Sequence, residues 1–319
     1  VHNYEMLHQV YPPGTVNATG PIQSLPQGYH HNWLIQLLPY MEQKNTHAHI
    51  DSLVGVYHPN NMPVRRLDIG TFNCPSAPHA RRAYSDYAGV HNDIEAPIDV
   101  TNNGVFFLNS RIGYFDLKDG SSHTLFIGEK ETYAGDLGWM SGTRATLRNT
   151  GFRINAAHVR NFGASRPHWP RPTGFPPGVE DKYRTEALPG DEELLDTLFG
   201  EEMKRQNSIS AWNAIDQFAR VYDNEDTGGA GMYGGMGVMP AGGEYVDSGA
   251  EQEAAKKLAI KTFRENPALA VGGFGSPHPG GSQFAVGDGS VRFCSETIDP
   301  IVFLQLGHRA DGRLIAEDW

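Results

Sequence analysis

Cysteine is scarce in this chain: two residues in 319. That excludes a disulfide framework and leaves the redox compartment unassigned. No apolar run reaches the ~18 residues that a membrane-spanning helix needs. Positive charge is also short, with 26 basic against 37 acidic residues and a net charge of −11. That balance argues against nucleic acid as a partner, since a phosphate backbone is held by clustered Lys and Arg. The nucleophile elbow G-x-S-x-G is missing as well, because the nearest candidate, Gly138 to Gly142 around Ser141, has the wrong spacing. No side chain is paired in sequence with a base that would activate it, so the expectation is a protein that is not an enzyme. Glycine and proline are plentiful, 37 and 21 residues beside a hydrophobic content of 39%. This composition fits a loop-rich globular protein of one large domain or two.

The chain opens on Val1, and Val1, Tyr4, Leu7 and Tyr11 fall at helical spacing. No capping residue precedes them, so the sequence reads as starting inside a helix that Pro12-Pro13-Gly14 terminates. Residues 32–46 carry Trp33, Leu34, Leu37, Leu38 and Met41 in a helical pattern broken by Pro39, which predicts a kink or two short helices. From 67 to 132 short apolar runs alternate with Gly, Asn and Asp turns, the pattern of antiparallel strands and loops. Near the end, 283–286 and 291–293 flank Gly287-Asp288-Gly289-Ser290, whose glycines supply the positive φ that a tight hairpin requires. Between these regions charge is segregated. Arg144, Arg148, Arg153, Arg160, Arg166 and Arg171 lie in 144–172 with no acidic residue, and nine carboxylates follow in 180–202. Helices are expected around 194–199, 211–221 and 248–266, and the Gly/Met-rich 228–243 reads as an irregular loop.

Four candidate sites can be weighed. Gly229 to Gly234 fits G-x-G-x-x-G, but no strand precedes it, so a loop is the better reading. His47, His49 and Asp51 have H-x-H-x-D metal-site spacing without a third or fourth partner in sequence, and a surface loop is preferred. Asp288 and Glu296 offer the oxygen ligands that calcium takes. Against that, Asp288 has an ordinary role in satisfying turn backbone groups. The six arginines, interleaved with Phe152, Phe162 and Trp169, suit acidic polysaccharide or another polyanion, or else pair with the acidic 180–202 segment within one subunit or between subunits.

One pattern ties the two ends together. His278 is followed by nine residues and then Asp288-Gly289. Upstream stand Tyr11-Pro12-Pro13-Gly14, the 33–43 segment, Thr71-Phe72-Asn73-Cys74-Pro75-Ser76, Ser85-Asp86-Tyr87-Ala88-Gly89, Asn103-Gly104-Val105-Phe106-Phe107, and Asp119-Gly120-Ser121-Ser122-His123-Thr124 leading into Leu125-Phe126-Ile127-Gly128-Glu129. In this order the strings resemble the planctomycete prepilin-type H-X9-DG family, a domain of unknown function also filed as a bacterial solute-binding family. The resemblance covers 1–143 and 274–312, and 144–273 reads as an insertion. It implies a pilin-like α+β fold, an N-terminal helix packed on an antiparallel sheet, in an extracytoplasmic subunit that assembles with copies of itself or other pilin-like subunits. It also implies an apolar helix upstream of Val1, the chain's only route to a membrane. His278, Asp288 and Gly289 are the family-motif residues, and no cofactor is expected beyond the calcium candidates. Cys74 occupies a family position and Cys294 does not; in an oxidising compartment the two could pair, or their partners could equally lie upstream of Val1. The rival reading is a monomeric extracytoplasmic module for a solute or glycan, and a metallohydrolase using His47 and His49 is a third.

Overall fold

The computed structural model describes residues 1–77, 83–132, 136–155, 266–313, 315 and 319. The fold is α+β. Its centre is a five-stranded sheet in the order β5-β3-β4-β6-β7, built from β3 (Tyr87–Asn92), β4 (Leu125–Glu129), β5 (Leu147–Asn149), β6 (Gly281–Val286) and β7 (Val291–Ser295). All neighbours run antiparallel except β3 and β5, which are parallel. A two-stranded pair, β1 (Thr15–Val16) with β2 (His31–Asn32), lies outside it.

Both faces of the inner strands β3 and β4 are covered, which explains why their apolar residues divide between two clusters rather than between core and water. Ala88, Val90, Leu125, Phe284 and Val286 pack with Phe303 and Leu306 of the last helix, α5 (Pro300–Gly307). Phe126 and Leu147 face the other way, into a larger cluster with Tyr11, Trp33, Leu34, Leu38, Phe106 and Trp139. The register between β4 and β6 shifts between Leu125 and Ile127.

The helices are short, and their sequence punctuation is visible. α1 (His2–His8) ends at Gln9, which takes a left-handed conformation, three residues before Pro12. α2 (Trp33–Leu37) is capped by Asn32, whose Oδ1 accepts from Ile35 N at 3.1 Å while its Nδ2 donates to Trp139 O at 2.7 Å and Thr146 Oγ1 at 3.0 Å. A 3₁₀ turn, Leu38–Tyr40, carries Pro39, and α3 (Lys44–Ala48) follows, so the predicted interruption takes the two-helix form. α4 (Met62–Arg65) completes the helices before β3. The hairpin forms as expected between β6 and β7, with Gly289 at φ 88 and Ser290 N donating to Asp288 Oδ1 at 2.8 Å.

Two boundaries move. Residues 144–155 and 266–273, assigned by sequence to the insertion, include strand β5 and the buried Phe152, Ile154, Ala268, Leu269, Ala270 and Val271. Buried polar groups hold these stretches to the sheet. Glu95 accepts from Asn149 Nδ2 at 2.7 Å, Val271 N at 2.8 Å and Gly272 N at 2.9 Å. Arg148 Nη1 donates to Val271 O at 2.6 Å. The expected helices around 194–199 and 211–221, the 248–266 helix up to residue 265, the 228–243 loop, Gly229 to Gly234 and the acidic 180–202 segment lie outside the described residues.

The packing predicts two measurable responses. A Cβ at Gly14 would overlap the backbone of Phe106 and Phe107, so Gly14→Ala should cost about 1–3 kcal/mol in urea denaturation through overpacking. Acid should also destabilise the fold. Burial pushes the imidazoles of His30 and His91 down to about 3 and that of His308 down to about 4, and all three are buried. Below pH ~6.5 the unfolded chain takes up protons that these native histidines refuse, so stability falls as pH drops from there towards 3. Asp93, raised by burial to about 6, opposes this, because its native carboxyl binds a proton before the unfolded one does. The midpoint of urea denaturation should therefore be lower at pH 5 than at pH 7, and Asp93→Asn should steepen the fall. A midpoint independent of pH between 7 and 5 would contradict this account.

Candidate functional site

At the end of β4, three chemically distinct side chains meet. Glu129 is the last residue of the strand, Cys74 follows the 3₁₀ turn Gly70–Phe72, and His278 precedes β6. Glu129 Oε1 lies 3.2 Å from His278 Nε2 and 3.5 Å from Cys74 Sγ, and Sγ and Nε2 are 3.5 Å apart. These are the atoms of the one group of three potential metal-ligating side chains that converges among the described residues. Cys74 and Glu129 are buried, whereas the His278 side chain keeps 29% of its surface exposed.

Local structure places each member. Cys74 N donates to Asp86 Oδ2 at 2.9 Å, and Lys130 N donates to Asp86 O at 2.8 Å, so one residue ties the cysteine loop to the strand end. The second oxygen of Glu129 is fully engaged. Oε2 accepts from Ser276 Oγ at 2.7 Å and Gln283 N at 2.8 Å, with Ser282 Oγ at 3.5 Å. Ser276 Oγ in turn accepts from His278 N at 3.2 Å. A buried carboxylate demands such donors, and meeting that demand turns Oε1 towards the thiol and the imidazole.

Desolvation raises the pKa of the Cys74 thiol, with the Glu129 carboxylate adding to it. Burial pushes the neighbouring Tyr87 phenol up to about 12, with Cys74 and Glu129 reinforcing the shift. Nearby, Lys130 and Asp136 form a buried ion pair at 2.6 Å, and desolvation lowers the lysine's pKa. The arrangement offers one sulfur, one nitrogen and one oxygen donor around a common point, with access from the histidine side. It is less suited to nucleophilic catalysis. In a nucleophile–histidine–acid relay the acid orients the ring from the nitrogen opposite the nucleophile. Here Glu129 meets the same Nε2 that faces the sulfur, so carboxylate and thiol compete for one position.

The sequence candidates fare differently. His278 lies in the site, in contact with the carboxylate and thiol rather than serving only the hairpin turn. Asp288 does not reach it. Asp288 sits at the hairpin turn while Glu296 follows the far end of β7, and a five-residue strand of roughly 17 Å separates the two. The calcium pair is thus not brought together; Asp288 Oδ1 accepts from Ser290 N and Glu296 Oε2 from Asn155 Nδ2. His47, His49 and Asp51 do not converge on a common point either. His49 Nδ1 turns to Asn45 O, and Asp51 accepts from Asn60 Nδ2 and Leu53 N. Of the arginines, Arg148 is buried and serves the sheet, which removes it from any surface patch, while Arg153 is exposed and Arg144 half-buried. Arg160, Arg166 and Arg171 lie outside the described residues. Cys74 and Cys294 are both free, and Cys294 packs with the apolar cluster under α5.

The three residues of the site are contributed by three of the motif strings noted in the sequence, those ending at Ser76 and Glu129 and the one opening at His278. Comparison with protein families gives a match to the family described as a protein of unknown function (DUF1559) over residues 1–301. The chain belongs to this family. No curated protein and no solved structure matches the chain. Nothing in the sequence marks Cys74, Glu129 or Ser276 as site residues, although Cys74 and Glu129 stand in strings that resemble the family's. Cys74 is 55 residues from Glu129 and 204 from His278, and no periodicity links positions so far apart.

Glu129 should dominate local stability. Glu129→Ala leaves the Ser276 hydroxyl and the Gln283 N–H without their buried acceptor, at a cost of about 2–4 kcal/mol. Glu129→Gln, which keeps one acceptor oxygen, should cost less. Equal losses for the two variants in urea denaturation would show that the carboxylate's acceptors do not hold the 275–283 segment.

Proposed function

We infer that this DUF1559 protein is an extracytoplasmic structural subunit, not an enzyme, and that it assembles with copies of itself or related subunits at the cell surface. The observation that carries this reading is the state of α1. None of its residues is buried; Val1 and Tyr4 pack against the core, while Met6 and Leu7 stand 73% and 70% exposed. The helix runs beside the 113–116 turn, where a Cβ on Gly113 would meet Gln9 O at 3.2 Å, and that turn exposes Phe115 at 87%. Large apolar side chains concentrated on one element mark an association surface more often than a solvated face. A helix with one side on its own domain and the other uncovered suits lateral packing against a second copy. The edge strand β7, with Val291 and Phe293 exposed, offers a second contact of the same character. On this reading, the oppositely charged 144–172 and 180–202 segments would set the register between copies, through Arg153, Arg160, Arg166 and Arg171 in particular.

The test is self-association of the purified protein by analytical ultracentrifugation. Met6→Lys with Leu7→Lys should leave the thermal midpoint nearly unchanged, since both side chains are exposed. The same pair should weaken association by at least about tenfold. A protein that stays monomeric at its highest soluble concentration, with or without these substitutions, would overturn the assembly reading in favour of a monomeric solute- or glycan-binding module.

A further inference from the structure

We propose that Cys74 Sγ, Glu129 Oε1 and His278 Nε2 form a three-ligand site for a borderline-soft divalent metal ion of the zinc type, with water in the fourth position. The donor geometry carries this. Bonds of about 2.3 Å to sulfur and about 2.0–2.1 Å to nitrogen and oxygen, at tetrahedral angles, separate donor atoms by about 3.3–3.6 Å. The three separations here are 3.2, 3.5 and 3.5 Å. Each donor comes from a different segment, and the triangle closes without any of them leaving its place in the fold.

The donor types select the ion. One sulfur, one imidazole and one carboxylate disfavour calcium and magnesium, which take oxygen, and suit zinc and its first-row neighbours. The outer contacts are those that orient ligands in metal sites. Glu129 Oε2 is held by Ser276 and Gln283, the Cys74 backbone by Asp86, and the His278 backbone by Ser276. The partial exposure of His278 gives solvent access to the site. The site does not depend on assembly and would stand in a monomer.

Binding exchanges one proton for one ion. The Cys74 S–H bond breaks, the sulfur's electron pair goes to the metal and the proton to solvent; His278 binds as the neutral ring.

The experiment titrates chelator-stripped, reduced protein with Zn²⁺ by calorimetry and with Co²⁺ by absorption. We expect one equivalent of each, and for cobalt a thiolate-to-metal charge-transfer band in the near ultraviolet. Cys74→Ser should abolish the band. His278→Gln, at the rim of the site, should leave the metal-free melting transition in place and weaken affinity by at least about 100-fold, beyond the usual loss of an outer-shell partner. Cys294→Ser should bind as the unsubstituted protein does. The proposal is overturned if no stoichiometric binding occurs, if the band survives Cys74→Ser, or if it depends on Cys294.

Discussion

The carboxylate of Glu129 is the constraint around which this end of the molecule is organised. It is buried at the end of a central strand, where a charged or polar group is tolerated only when donors surround it. Those donors come from the 275–283 segment, which must run alongside β4 before it becomes β6. One oxygen is saturated by that segment, and the other is left to face Cys74 and His278. The arrangement of Cys74, Glu129 and His278 therefore follows from satisfying a buried acid.

The same logic operates at the other edge. Glu95 is buried, and burial raises its pKa against the hydrogen bonds that lower it. Its partners Asn149, Val271 and Gly272 bring the two flanks of the central segment onto β3. Arg148 crosses the same junction to Val271. Here a basic residue that would count as surface charge in a composition tally acts as a structural donor, because a guanidinium presents several N–H groups in a fixed plane.

The surface proposed for association and the donors proposed to hold a metal come from different segments of the chain. The uncovered apolar surface lies on α1, the 113–116 turn and β7. The sulfur, nitrogen and oxygen donors lie at the opposite end of β6 from the hairpin turn, since His278 precedes the strand and Asp288 follows it. The two proposals rest on different residues, Met6 and Leu7 for one and Cys74, Glu129 and His278 for the other, so each can fail without the other.

Local features were legible from the residues alone. The hairpin follows from the short runs 283–286 and 291–293 around a Gly-Asp-Gly-Ser turn, and the break at Pro39 from the missing N–H of proline. These depend on near neighbours, for which sequence distance and spatial distance agree. The α+β class and the DUF1559 family were legible from motifs in order. What tertiary structure alone decided were pairings across long separations: Cys74 with His278 rather than with Cys294, Glu129 with Ser276, and Glu95 with Gly272. It also decided that Asp288 and Glu296, eight residues apart, sit at opposite ends of an extended strand. A motif records which residues are present, but a buried polar group takes its partner from whichever segment the packing of the sheet brings within about 3 Å.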